Sequence, residues 1–174
     1  MSNDEVQFIV NSAIREAVLR RHEYITVEHL LYAILQHDNG IDIVQNCGGD
    51  VDLLLEELLK FFAEKVPELQ QDLSSKKLKK NTFDENVKEE NGESGPVQSL
   101  GFQRILERAM NQVISSGRRE FTTADLLAAI FLEQDSYAVY LLKKHNITRY
   151  KVLNYISHGK IKDDEDIDHD DIDK

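Results

Sequence analysis

Apolar residues step by threes and fours through the first stretch of the chain. Val6, Ile9, Val10, Ala13, Ile14, Ala17 and Val18 fall on one stripe, which predicts an amphipathic helix over 4–20. Adding 96 to each number gives Phe102, Ile105, Leu106, Ala109, Met110, Val113 and Ile114, all apolar again. The same offset relates two denser stretches, TVEHLLYAI at 26–34 and TTADLLAAI at 122–130. Thr26, Leu30, Leu31, Ala33 and Ile34 recur as Thr122, Leu126, Leu127, Ala129 and Ile130. A run apolar on most of its faces is buried on most of its faces, so these stretches are expected to be the central helices of two copies of one unit. An ungapped offset over so many positions is the mark of an internal duplication.

The remaining elements follow from caps and breaks. Thr26 and Thr122 are placed as N-caps, with central helices expected near 27–36 and 123–132. His29 and Asp125 stand where a capping box takes Glu or Gln, so that motif reads as partial. Gly117 is placed to end its helix in the left-handed region. Third helices are expected at 41–46 and 136–144, and fourth helices at 51–63 and 148–157, with Asp50 and Asn146 as caps. The fold class is therefore all-α: a duplicated four-helix unit, eight helices about a pseudo-two-fold axis. Repeat one spans 4–66 and repeat two 98–158, within a domain covering 1–160. Between them, 67–97 is bracketed by Pro67 and Pro96 and is charged and poor in apolar residues, the composition of a solvated linker.

Composition narrows the function. Hydrophobic residues make up 41% of the 174, enough for a core, and no apolar run approaches the length of a membrane helix. The start, MSNDEVQFIV, lacks a basic region before an apolar run, unlike a secretory signal. A single cysteine, Cys47, excludes an internal disulfide and suits the cytoplasm; with no base beside it, it reads as a structural thiol. The net charge of −11 disfavours nucleic acid and anionic membrane. Residues 161–174 carry −6 of it (eight acids, two lysines), and this acidic tail reads as disordered.

Motifs of catalysis are missing. There is no phosphate-binding loop, no dinucleotide fingerprint and no Gly-x-Ser-x-Gly. His22-Glu23 starts like H-E-x-x-H, but Thr26 occupies the second histidine position. Asp166, Asp168 and Asp170 echo a calcium loop, but Asp171 replaces its glycine and the closing Glu is missing.

The informative positions are those where the duplication breaks. Glu23 pairs with Arg119, Glu28 with Ala124, Arg104 with Phe8 and Arg108 with Ser12. Arg104 and Arg108 are four apart and share one helical face beside the apolar stripe. Taken alone, such charges read as an ordinary solvated surface, while Phe8 lies off its stripe and is expected to be exposed.

RHEYITVEHLL, SLGFQRILERA, SSGRREFTTADLLAAIFLEQDS and YLLKKHNITRYKVLNYISHG resemble the N-terminal domains of the Clp unfoldases, and within that Clp repeat family the ClpA branch rather than ClpB or ClpC. The resemblance covers roughly 1–66 and 98–160. It implies a duplicated four-helix fold in a cytoplasmic protein, and a chain that stops short of the ATPase modules where ATP and magnesium would bind. It implies no enzyme activity, cofactor or metal in this stretch, which would be monomeric by itself. The role implied is recruitment. The domain would bind the ClpS adaptor, which delivers substrates with destabilising N-terminal residues, and pass protein substrates toward ClpP through the ATPase. The alternative is direct capture of unfolded or aggregated protein in an apolar groove. The family's adaptor contacts match Glu23, Glu28, Arg104 and Arg108, and Ser99 stands where the family has a Thr.

Overall fold

The computed structural model describes residues 2–70, 95–116 and 120–158. Gly117 and Arg119, most of the segment between the prolines and the acidic tail lie outside the described residues. Among the described residues there are four helices in each half. Repeat one holds α1 (Ser2–Leu19), α2 (Val27–Leu35), α3 (Asp38–Asn46) and α4 (Val51–Lys65). Repeat two holds α5 (Leu100–Ser116), α6 (Thr123–Ile130), α7 (Tyr137–Lys144) and α8 (Arg149–His158).

Helices α2 and α6 are the centre. Every residue of each is buried. They pack on each other, and the helices around them follow a two-fold pattern. Helix α1 packs on α2 and α6, while α5 packs on α6 and α2. Across the halves, α3 meets α6 and α8, while α7 meets α2 and α4. The stripe residues Ile9, Ala13 and Ala17 are fully buried, as is Ile105, with Ala109 nearly so. Val18, Met110 and Ile114, expected in the stripe, are instead exposed, although Ala17 and Ala109 beside the first two are buried, so the buried face is narrower than the apolar stripe. Phe8 is exposed, as its position off the stripe implies.

Both capping boxes are closed, where the sequence suggested only partial ones. Thr122 N–H and its hydroxyl donate to Asp125 Oδ2 (2.9 and 2.8 Å), and Asp125 N–H donates back to Thr122 Oγ1 (3.2 Å). In repeat one His29 does the work of the acid: Thr26 N–H donates to His29 Nδ1 at 3.0 Å. A backbone N–H can only donate, so Nδ1 accepts and the neutral ring carries its proton on Nε2. That proton is directed at His22 Nδ1, 2.7 Å away. Both rings are buried, and His29 stacks on Phe62.

The offset of 96 does not persist to the end of the chain. Only Gln36 and the cap His37 separate α2 from α3, whereas residues 131–135 and the cap Ser136 separate α6 from α7. From there the register is 98. Gly48 (φ 85°) and Asn146 (φ 60°) end α3 and α7 in the left-handed region. Each is followed by the same pair of closing bonds, Gly48 N–H to Gln45 O and Gly49 N–H to Val44 O, then Asn146 N–H to Lys143 O and Ile147 N–H to Leu142 O. Asn146 therefore terminates a helix instead of capping the next one. The cap of α8 is Thr148, whose Oγ1 accepts from Lys151 N–H at 3.2 Å, while Asp50 caps α4 as expected, accepting from Leu53 N–H at 3.1 Å. In the new register Leu54 matches Val152, and both are fully buried.

Candidate functional site

Two short strands, β1 (Tyr24–Ile25) and β2 (Val97–Gln98), run parallel, with Tyr24 opposite Val97 and Ile25 opposite Gln98. They join the ends of α1 and of the inter-repeat segment to one loop. On one side Glu23 N–H donates to Pro67 O (2.8 Å) and Leu69 N–H to Arg21 O (2.7 Å). On the other, Val97 N–H donates to Glu23 O and Ser99 N–H to Ile25 O, both at 2.9 Å. The described ends of the segment, 67–70 and 95–97, are exposed or half-buried. An all-helical sequence pattern gives no hint of this strand pair, because two residues are too few for an alternation to show.

This pairing sets the N-terminus of α5 beside that of α2. Ser99 caps α5, its Oγ accepting from Phe102 N–H at 3.2 Å, and Thr26, which follows β1 as Ser99 follows β2, caps α2. Glu23 lies half-buried on the same loop. A Cβ on Gly101, in the first turn of α5, would stand 3.0 Å from Val27 Cγ2, so a small residue is what lets the two helix starts meet. The structure thus brings Glu23, Ser99 and the first turn of α2 together, with α5 carrying Arg104 and Arg108 away from that corner.

Glu28 does not have the expected exposed position. It is 7% exposed, in the first turn of α2, where α2 packs on α7. Its carboxyl receives the backbone N–H of Ala138, in the first turn of α7, but Oε2 has no partner. Burial pushes its pKa up to about 7, and the Ala138 bond offsets this only in part. Its own helix start hid this from the sequence, which gave no sign that a second helix would cover it.

Arg104 and Arg108 share an acid that sequence reasoning missed. Arg104 Nε–H and Nη2–H donate to the two oxygens of Glu133 at 2.8 and 2.9 Å, and Arg108 Nη1–H donates to Oε1 at 2.8 Å. Glu133 stands in the longer α6–α7 connection. The Arg104 bond, helped by Arg108, holds its carboxyl below the usual range, and Glu133 in turn raises the Arg104 guanidinium. The available signal was the place where the repeat gains residues, FLEQDS, which has no counterpart between α2 and α3.

Other candidate chemistry is thin. Among the described residues no group of three or more His, Cys, Asp and Glu side chains is placed to hold a metal ion. Cys47 is buried, and burial pushes its thiol up. No described helix is long and apolar enough to cross a membrane.

The family described as the Clp repeat (R) N-terminal domain matches over residues 1–145. A ClpA homolog protein of Fuscovulum blasticum is 36% identical over 154 residues, covering 88% of this chain and 17% of that protein. The chain thus spans less than a fifth of that relative's length. A solved structure described as "Preliminary structural investigations of a malarial protein secretion system" is similar with a TM-score of 0.59 at 14% identity, covering 88% of this chain and 90% of that one. At that identity the likeness is one of fold. The family match over most of the chain and the ClpA-like relative agree with the doubled four-helix packing, and the chain belongs to the Clp repeat N-terminal domain family.

Proposed function

We propose that this domain recruits the ClpS adaptor, and through it protein substrates, for a Clp ATPase that works with ClpP in the cytoplasm, and that it is not itself an enzyme. The observation that carries the reading is the β1–β2 pairing. It brings Glu23 and the cap Ser99 together at the start of α5, the helix that goes on to carry Arg104 and Arg108, and these are residues that the family resemblance assigns to adaptor contact. Glu28 contributes from beneath, as a buried carboxyl at the junction of α2 and α7, rather than as a surface charge. Charges on such a surface fix a partner's orientation and steer its approach. Truncating Arg104 or Arg108 to Ala is expected to weaken ClpS binding by roughly 1–3 kcal/mol in calorimetric titration, with the melting temperature nearly unchanged. Wild-type affinity in both variants would place the docking surface elsewhere.

Direct capture of unfolded protein has one observation in its favour, the exposed apolar side chains of Met110 and Ile114 toward the end of α5. Met110→Ser and Ile114→Ser variants separate the two readings. Under the adaptor reading they keep full ClpS affinity.

A further inference from the structure

We propose that Glu133 is a positioning residue of the adaptor surface, its carboxylate holding Arg104 and Arg108 as one fixed cationic fork for a carboxylate carried by the adaptor. The inference rests on the adaptor reading and adds to it a residue outside the contact set. The acid is anchored at both levels. Its backbone is pinned in a turn, Glu133 N–H donating to Ile130 O and Ser136 N–H to Glu133 O, both at 3.0 Å. Its side chain is 11% exposed, beneath two arginines that are 50% and 35% exposed. This is the arrangement of a buried clamp under two outward-facing cations, unlike a surface ion pair with both ends in water.

The donors left over decide what the fork can do. A guanidinium has five N–H groups. Glu133 occupies the Nε–Nη2 edge of Arg104 and one N–H of Arg108. Among the described residues the other donors have no acceptor, and the second edge of Arg104 remains open to a bidentate carboxylate. Two guanidinium charges less one carboxylate leave a local +1, on a chain of net charge −11. That excess matches a single acidic side chain. In repeat one the short α2–α3 connection has His37 facing Glu5 at 3.1 Å and near the ring of Phe8, so no fork forms there.

Removing the Glu133 charge has two opposed effects. It adds net positive charge, which would attract an acid, but through solvent-exposed side chains where screening is strong. It also frees two long side chains that binding must then immobilise, and that cost is the larger. Purified ClpS is titrated calorimetrically into the wild-type chain, Glu133→Gln, Arg104→Lys, and an Arg104→Ala/Arg108→Ala pair with and without Glu133→Gln. Melting curves are recorded alongside. The expected result is about tenfold weaker binding for Glu133→Gln at unchanged melting temperature, and less than about twofold further effect of that change once both arginines are gone. Arg104→Lys, which keeps the charge and loses the fork, should also bind about tenfold more weakly, and it serves as the test should Glu133→Gln fold poorly. Equal or tighter binding by Glu133→Gln or Arg104→Lys overturns the inference, as does an undiminished Glu133→Gln effect without the arginines. If the wild-type chain does not bind ClpS, the adaptor reading itself falls, a result distinct from the others.

Discussion

Helices α2 and α6 occupy matching places, carry the same buried face and close the same kind of capping box, yet their buried first turns meet different neighbours. At position 28 a glutamate is folded beneath α7. At the matching position 124 a buried alanine lines a cleft of about 350 Å³, together with Glu5, Asn39, Thr123 and Tyr155 among others. The third helices differ in the same spirit. With only Gln36 and His37 between α2 and α3, α3 is drawn so close that a Cβ on Gly40 would stand 1.9 Å from the Ile34 carbonyl oxygen. The longer connection in repeat two lets Ala138 take the equivalent place, fully buried, and carries Glu133 to the arginines of α5. Two copies of one unit thus share a core that packing holds equivalent, while the corners where their connections differ have become two different surfaces.

The largest test of that comparison is Gly40→Ala. The added methyl meets backbone rather than a yielding side chain, so it should destabilise by about 3 kcal/mol or more. The reverse change in the other half, Ala138→Gly, should cost only about 1 kcal/mol. Denaturant melts of the pair measure this directly, and equal costs would mean that the two connections impose the same spacing.

The next test uses pH. Glu28 has a folded-state pKa of about 7, above the ordinary value of 4.5. Its contribution is fully present below pH 4.5 and is lost as pH rises through 7. Between pH 5 and 8 this group should lower stability by about 2 kcal/mol, a loss that Glu28→Gln removes. The His29 pKa lies at about 3, held down by burial first and then by His22 and Arg20. Burial and Arg20 also lower His22, against the smaller opposing pull of Glu68 and Glu16. The contribution of His29 is present above pH 6.5 and is lost as pH falls toward 3, by about 2 kcal/mol between pH 6.5 and 5. His29→Gln keeps a capping acceptor and should flatten that acid limb. Unchanged pH profiles in both variants would show that neither group is buried as described.

Much of this architecture could be read from the chain, and the exceptions share a cause. The seven-position stripe and TVEHLL/TTADLL gave the helices and their duplication because burial repeats with helical period. The shift from 96 to 98 was hidden because Asn146 suits either a cap or a left-handed stop, and only the bonds around it distinguish the two. Glu28 read as an ordinary first-turn acid, since its burial depends on α7, a partner far along the chain. Arg104 and Arg108 were singled out as candidates by their failure to match Phe8 and Ser12. Their partner Glu133 was not, because it lies where the repeat has no counterpart to compare.

A smaller effect sharpens the role of the strand pair. Ser99→Ala removes the cap of α5 and should cost about 1 kcal/mol in stability. Its adaptor affinity should fall by less than that of Arg104→Ala, because the β1–β2 backbone bonds remain. A larger loss of binding than of stability would make the Ser99 hydroxyl a direct contact.

The central claim is that the broken symmetry leaves one adaptor site on a doubled fold. Calorimetric titration of the wild-type chain with ClpS, repeated with Arg104→Ala and with the mirror variant Ala124→Glu, tests it most directly. The account predicts one ClpS per chain, binding weakened by roughly 1–3 kcal/mol in Arg104→Ala, and a single site still in Ala124→Glu. Two equivalent sites on the wild-type chain, or undiminished binding by Arg104→Ala, would contradict it.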